Sequence, residues 1–218
     1  MQSLFEQERP GTWGEVLGQD KAKSKVEVLR RRGLAGRAYW ISGPSGTGKT
    51  TIARILASEI AEPWAIEEVD ATVLTPARLR EIESTWGSLP LASRPGRAYL
   101  VNEAHGLRRD AVRQLLVMLE RIPRHCIVVF TTTLDGMNLF GDAQEDAHPL
   151  LSRCTELRLT SQGLAKPGAV RLLEIANQEG LRNGDSDGDL LKRLERIIHD
   201  SKGNLRAAIQ RVEEGALL

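Results

Sequence analysis

Cysteine is scarce: the 218 residues hold two, Cys126 and Cys154. Two distant thiols build neither a disulfide framework nor a cysteine-rich zinc site, and a reducing compartment suits them. Charge of one sign is missing too. The 30 basic side chains stand against 29 acidic ones, leaving a net charge of +1. That excludes a protein that coats nucleic acid by bulk charge, though not one with a local basic face. Nor is there a long apolar run. The N-terminal stretch Met1-Gln2-Ser3-Leu4-Phe5-Glu6-Gln7-Glu8-Arg9 has no hydrophobic leader, and no segment approaches bilayer-spanning length. A cytoplasmic protein without a membrane partner is expected. Repeats and low-complexity tracts are absent. The tryptophans do not form a stacking platform: Trp13 and Trp40 read as core or pocket packing, while Trp64 and Trp86 border a strand and a loop.

What is present is a globular composition, 41% hydrophobic and 27% charged, long enough for one ordinary domain plus a smaller one. Its most informative stretch is Gly43-Pro44-Ser45-Gly46-Thr47-Gly48-Lys49-Thr50, a complete G-x-x-x-x-G-K-[ST] phosphate loop. The flanks suit it. Ala38–Ser42 is apolar enough for a buried strand, and Thr51–Ala57 reads as a helix with apolar positions at helical spacing. Glycines let backbone N–H groups turn inward, and the helix opening at Gly48 adds partial positive charge where phosphates would sit. Lys49 is expected to reach the β- and γ-phosphates, and the Thr50 hydroxyl to ligate Mg²⁺. The nucleotide-binding set extends through Thr51.

The remaining pattern predicts helices over 20–32, 75–86 and 109–122, and strands over 64–69, 98–101, 127–130 and 155–159. Strands alternating with helices mean an α/β fold, a parallel sheet with helices on both faces. After about Thr160 the pattern changes to helices alone, near 167–179, 189–202 and 204–215. The expected organisation is therefore a nucleotide-binding domain over residues 1–160 and a small helical domain over 161–218. The run Asp185-Ser186-Asp187-Gly188-Asp189 resembles a calcium loop only superficially. Its glycine is misplaced and no glutamate follows at the needed spacing, so it reads as a turn and helix cap.

A second constellation narrows the chemistry. Tyr99-Leu100-Val101 is followed by Asn102-Glu103-Ala104-His105. Polar groups at the carboxyl end of a parallel strand border the ligand crevice, and Glu103 suits the orientation of an attacking water. Together these residues resemble the AAA+ ATPases, and within them the clamp-loader subunits of DNA replication, over nearly the whole chain. Arg9-Pro10 and Val16-Leu17-Gly18-Gln19 are similar to the segment lining the adenine pocket, which implies nucleotide contacts for Arg9 and Val16. Glu68-Val69-Asp70-Ala71 resembles the family's second strand and its exit. Asn102-Glu103-Ala104-His105 is similar to its DEAH-type Walker B segment, and Thr131-Thr132-Thr133 ends a strand where sensor 1 lies. The resemblance implies catalytic roles for Glu103, Thr133 and Arg153, the last as the finger of a Ser152-Arg153-Cys154 motif that enters a neighbouring subunit's site. Gly203-Asn204-Leu205-Arg206 resembles sensor 2, implying that Arg206 contacts the nucleotide from a helical lid. ATP and Mg²⁺ are the implied ligands. Other AAA+ clamp-loader-like subunits, a sliding clamp and primer-template DNA are the implied partners.

The departures are specific. Position 102 is Asn where the family has Asp, so the implied metal pair is Thr50 and Asn102, with a carbonyl acceptor but no charge. Weaker Mg²⁺ binding and slow hydrolysis are expected, with Asn102→Asp raising both. The zinc cysteines of some bacterial relatives are absent. Residues 134–149 read as a long acidic mobile loop. Clamp loaders continue past the position of Leu218, after the sensor 2 helix, into a collar, so either a fragment or a collar-less protein is expected. Arg78, Arg80, Arg108 and Arg109 offer phosphate contacts for DNA, against which solvated helix faces are the simpler reading at this net charge. Three functions stay open: a clamp-loader-like ATP switch, a branch-migration or replication-restart AAA+ ATPase, and an ATP-binding scaffold with little hydrolysis.

Overall fold

The computed structural model describes residues 3–89, 91–133, 144–181 and 186–217. The chain groups into two compact units. One comprises Asp20–Gly43 and Lys49–Leu159, the other Met1–Gln19, Pro44–Gly48 and Thr160–Leu218.

The larger unit is built on strands β1 (Arg37–Ser42), β2 (Ile66–Asp70), β3 (Arg97–Asn102), β4 (Cys126–Thr132) and β5 (Cys154–Arg158). They pair in the order β2-β3-β4-β1-β5, every pair parallel. Parallel neighbours require crossovers, which helices α2 (Asp20–Arg30), α3 (Lys49–Ser58), α4 (Pro76–Thr85) and α5 (Arg109–Leu119) flank and supply. Side chains alternate between the faces of each strand. Trp40, Tyr99, Val101, Val128 and Phe130 fall on one face, in a core with Leu79 and Ile82 of α4 and Val112 and Leu115 of α5. The opposite face lies against α3, whose Ile52 and Leu56 are fully buried. Burying each such side chain contributes about 1.5–3 kcal/mol. Trp40 and Phe130, opposite each other in register, stack with ring centroids 5.4 Å apart. Tyr39 donates to the Leu34 carbonyl at 2.7 Å, and burial pushes its phenol up to about 12.

Local chemistry explains the element ends. Thr75 caps α4 by accepting from the Arg78 N–H at 3.2 Å, and Pro76 occupies the first turn, where its missing N–H costs nothing. Cys126 is buried, its thiol pushed up to about 11 by desolvation. Two expectations change. The strand placed at 64–69 begins at Ile66, because Pro63–Ala65 forms a 3₁₀ turn that leaves Trp64 65% exposed. Trp86, at the C-cap of α4 where the following loop begins, is buried. Of the expected loop 134–149, residues 134–143 lie outside the described residues, and Gln144–Ser152 is helix α6, containing Pro149.

The smaller unit packs α7 (Ala165–Gln178), α8 (Asp187–Asp200) and α9 (Leu205–Glu213) around Leu172, Leu190, Leu194, Ile198 and Val212. Ser186 caps α8 by accepting from the Asp189 N–H; Asp185 of the expected cap lies outside the described residues. The N-terminal helix α1 (Leu4–Gln7) joins this unit: the Leu4 N–H donates to Glu213 at 3.2 Å, and Arg171 pairs with Glu8 at 2.6 Å. Among the described residues no helix is long and apolar enough to cross a membrane.

Within this unit the loop residue Gly46 meets the start of α9. Asn204 caps α9 with its Oδ1, which accepts from the Ala207 N–H at 3.1 Å. A Cβ built on Gly46, whose φ is +76°, would lie 1.8 Å from that oxygen. Gly48, at φ +94°, meets nothing within 4 Å. Both positions strain an L side chain, but only Gly46 adds a clash. Gly46→Ala is therefore expected to lower the unfolding midpoint beyond Gly48→Ala, by roughly 1–3 kcal/mol of additional destabilisation. Thermal denaturation of the two variants side by side measures it, and equal midpoints would show that Asn204 yields without cost.

Candidate functional site

Strand β1 ends at Ser42, the chain turns through residues 43–48, and α3 begins at Lys49. Pro44 and Ser45 are exposed. Thr47 is buried, its hydroxyl donating to the Pro44 carbonyl at 2.8 Å. Lys49 is only 8% exposed, and its Nζ donates back to the Gly43 carbonyl at 2.9 Å. A buried ammonium curled over its own glycine loop at a helix N-terminus is an anion cradle. Phosphate oxygens fit as its partner in place of the carbonyl. Thr50 is half-buried in the first turn of α3, and Thr51 is buried. Gly43 meets the return of the chain after β5: a Cβ there would lie 2.7 Å from the Leu159 carbonyl oxygen.

In the order β3-β4-β1, strand β4 separates the loop-bearing strand from the strand ending in Asn102 and Glu103. Asn102 donates to Glu68 of β2 at 2.6 Å and accepts from the Thr131 hydroxyl of β4 at 2.9 Å. Glu68 in turn accepts two hydrogen bonds from Arg54 of α3, at 2.9 and 3.2 Å. Glu103 is exposed and adopts a left-handed conformation, φ 51° and ψ 50°, which costs a non-glycine residue about 1–3 kcal/mol. His105 Nδ1 lies 3.4 Å from Glu103 Oε2 and 3.4 Å from the Thr132 hydroxyl. Asp70, paired in register with Asn102, accepts from the Thr72 hydroxyl and N–H, which hold its carboxyl below the usual range. Thr133 is exposed, one residue past β4, whereas Thr131 and Thr132 are buried and make the contacts at this edge. Among the described residues no group of three acidic, cysteine or histidine side chains forms a metal cluster. A neutral Asn102 carbonyl beside the Thr50 hydroxyl's helix suits a hydrated Mg²⁺ better than a metal held directly by protein carboxylates.

Arg153 is exposed and held within its own unit, donating to Glu120 at 2.5 and 3.1 Å and to the Pro149 carbonyl at 2.9 Å. In the smaller unit, Val16 is buried, Arg9 pairs with Glu6, and the exposed Arg206 guanidinium lies 5.1 Å above the Phe5 ring. Of the arginines considered for DNA, Arg78 is engaged by Glu67 and Glu81.

Several residues that the sequence places within motifs, without an individual role, have structural claims on the site. Gln19 is buried at a positive φ of 62° and bonds both the carbonyl and the N–H of Thr160, at 2.8 and 3.0 Å. Asn204 approaches Gly46, and Glu68 anchors Asn102. A polar residue following Gly18 was a visible sign for Gln19. Nothing in the irregular polarity of Ile66-Glu67-Glu68-Val69 distinguishes Glu68 from Glu67.

Residues 39–143 match the ATPase family associated with various cellular activities (AAA). The chain is 31% identical over 156 residues to DNA polymerase III subunit gamma/tau of Mycobacterium tuberculosis, covering 60% of this chain and 27% of that protein. It is 27% identical over 221 residues to replication factor C small subunit 1 of Pyrobaculum arsenaticum, covering 97% of this chain and 61% of the relative. RuvB of Thermotoga maritima shares the fold, with a TM-score of 0.71 at 23% identity over 94% of this chain and 64% of that structure. The chain thus spans between about a quarter and two thirds of the length of these relatives. The residues matched, 39–143, hold the glycine loop, the buried lysine and the strand end at Asn102 and Glu103, and it is this part of the chain that is similar to the AAA family.

Proposed function

We propose that this chain binds and hydrolyses ATP as a cytoplasmic subunit of a clamp-loader-like assembly acting in DNA replication. The observation that carries the reading is the buried Lys49 in a glycine loop, with β4 alone separating its strand from Asn102 and Glu103. Backbone N–H groups of 43–48 and the Lys49 ammonium bind the phosphates. Thr50 and Asn102 hold Mg²⁺, which when bound neutralises phosphate charge. Glu103 orients and activates water, with His105 beside it, and the threonines ending β4, extending to Thr133, provide the polar group of sensor 1. Val16 and Arg9 serve the adenine side, and Arg206 acts from the helical domain 161–218 as sensor 2. Arg153 serves a neighbouring subunit, where a guanidinium stabilises charge on the transferred phosphoryl group. The similarity to polymerase III gamma/tau and replication factor C subunits supports assembly with other AAA+ subunits, a sliding clamp and primer-template DNA as partners.

Lys49→Ala removes a charge-assisted contact of about 1.5–3 kcal/mol, so affinity for a fluorescent ATP analogue should fall roughly tenfold to a hundredfold. Unchanged affinity would place the nucleotide elsewhere. Glu103→Gln should retain that affinity and lose turnover in a phosphate-release assay.

A trans role for Arg153 makes a different demand. Arg153→Ala should bind ATP as the parent does yet fail to support hydrolysis, and mixing it with Glu103→Gln under conditions that force association should return some activity. Full turnover of Arg153→Ala as a dilute monomer would show that Arg153 does not act on a neighbour.

A further inference from the structure

Gln19 is buried in a strained conformation. It is 5% exposed, and its φ of 62° follows one of 59° at Gly18. A left-handed backbone disfavours any residue but glycine, and such strain persists where the surrounding structure over-determines it. Here the side-chain amide does so. Its Oε1 accepts from the Thr160 N–H at 3.0 Å, and its Nε2 donates to the Thr160 carbonyl at 2.8 Å. Pairing with both polar groups of one residue settles which amide atom is nitrogen, because a reversed amide would set oxygen against oxygen. The second Nε2 hydrogen is left for the Thr47 carbonyl, 3.5 Å away, at the long end of hydrogen-bonding distance. Gln19, Thr47 and Thr160 belong to the same compact unit.

The peptide joining Thr47 to Gly48 needs such a hold. A trans peptide is planar, so its carbonyl and its N–H point in opposite directions, and no peptide bond among the described residues is cis. Turning this peptide over would reverse both groups and change only ψ at Thr47 and φ at Gly48. Glycine accepts φ of either sign; Gly48 stands at +94°, and a Cβ built on it meets nothing within 4 Å. Neither backbone preference nor packing at Gly48 therefore opposes the turn. The Thr47 hydroxyl is tied separately, to the Pro44 carbonyl at 2.8 Å, which leaves the direction of its own carbonyl open. We propose that Gln19 is a positioning residue of the glycine loop. By drawing the Thr47 carbonyl to its Nε2, it turns the Gly48 N–H to the opposite side, where that N–H donates to a phosphate oxygen. N–H groups that open a helix have no partner within it, which suits this one to an anion. The role rests on the nucleotide reading above, and it concerns the phosphates rather than the base.

Displacement of a fluorescent ATP analogue from the 218-residue chain by ADP and by adenosine separates this role from a contact with the base. Gln19→Met keeps the side-chain length and removes the amide. Gln19→Gly also removes it while suiting the left-handed backbone, and serves if the first variant does not fold. Either variant should lose about tenfold in ADP affinity, as expected for one hydrogen bond to an ionised phosphate, and should keep adenosine affinity within about twofold of the parent. A merely structural loss, or one on the adenine side, would weaken both ligands alike and overturn the role, as would unchanged ADP affinity. A second readout follows the N–H itself. In the chain labelled with ¹⁵N-glycine, ADP should move the Gly48 amide proton downfield, and at saturation by less than half as much in the variant. Equal shifts would overturn the role, and this readout decides alone where adenosine binds too weakly to titrate. Loss of cooperative unfolding in both variants would also overturn it, leaving Gln19 a residue of folding only. A parent that binds no analogue sinks the nucleotide reading, whereas a parent that binds and variants that match it sink the role of Gln19 alone.

Discussion

Strand β1 is enclosed in every direction but its ends. It is hydrogen-bonded to β4 on one side and β5 on the other, and all but its first residue are buried. Nothing along it after Arg37 can reach solvent, so chemistry built on this strand must sit where the chain leaves it. The exit is crowded as well: the Leu159 N–H donates to the Ser42 carbonyl at 2.8 Å, and the Gly43 N–H to the Thr132 carbonyl at 3.3 Å. A chain that must turn sharply there and start a helix at once needs glycine, and the backbone N–H groups it exposes become the anion cradle. Loop and sheet are thus one solution to a single packing problem.

The same parallel arrangement aligns the carboxyl ends of β2, β3 and β4, and this is where the polar side chains gather. Glu68, Asn102 and Thr131 lie on the α3 face of the sheet, in strands otherwise filled by Leu100 and Val129. Polar groups there are tolerable because each meets a partner; an unpaired one would cost about 1–3 kcal/mol. Glu103 comes immediately after, at the first residue freed from the ladder, and takes up a left-handed backbone that carries its side chain out of the sheet's alternation. Strain of that kind is kept where surrounding structure over-determines it, here between a paired strand and the 3₁₀ turn at Ala104–Gly106.

The smaller unit follows a different logic. Its core is made by three helices whose apolar stripes face one another, and the N-terminal segment is drawn in through Leu4, Glu8 and Gln19. Asn204 serves two purposes at once. It ends the turn before α9 as a cap, and its oxygen occupies the space that a side chain at position 46 would need. The glycine of the loop is therefore demanded both by its own backbone angle and by a side chain more than 150 residues later in the chain.

The parallel sheet, its alternation with helices, the helical C-terminal portion and the phosphate loop were all legible in the sequence, because each is written in local periodicity or in a contiguous motif. Asn102 and Glu103 were legible as polar residues closing an apolar run. What sequence periodicity could not supply was partnership across strands. Whether Glu67 or Glu68 meets Asn102 depends on a register that pairs Glu68 with Leu100 and Asp70 with Asn102, and a slip of one residue would have exchanged them. In the same way only the fold turned Thr131 and Thr132 inward and left Thr133 exposed, buried Trp86 and exposed Trp64, and brought Asn204 to Gly46. The sequence alone determined that this chain sets a glycine loop and a lysine between a buried strand and a helix, since that needs only neighbours in the chain. The tertiary structure decided which distant side chains orient the groups around it, since hydrogen bonds between strands join residues that the sequence keeps apart.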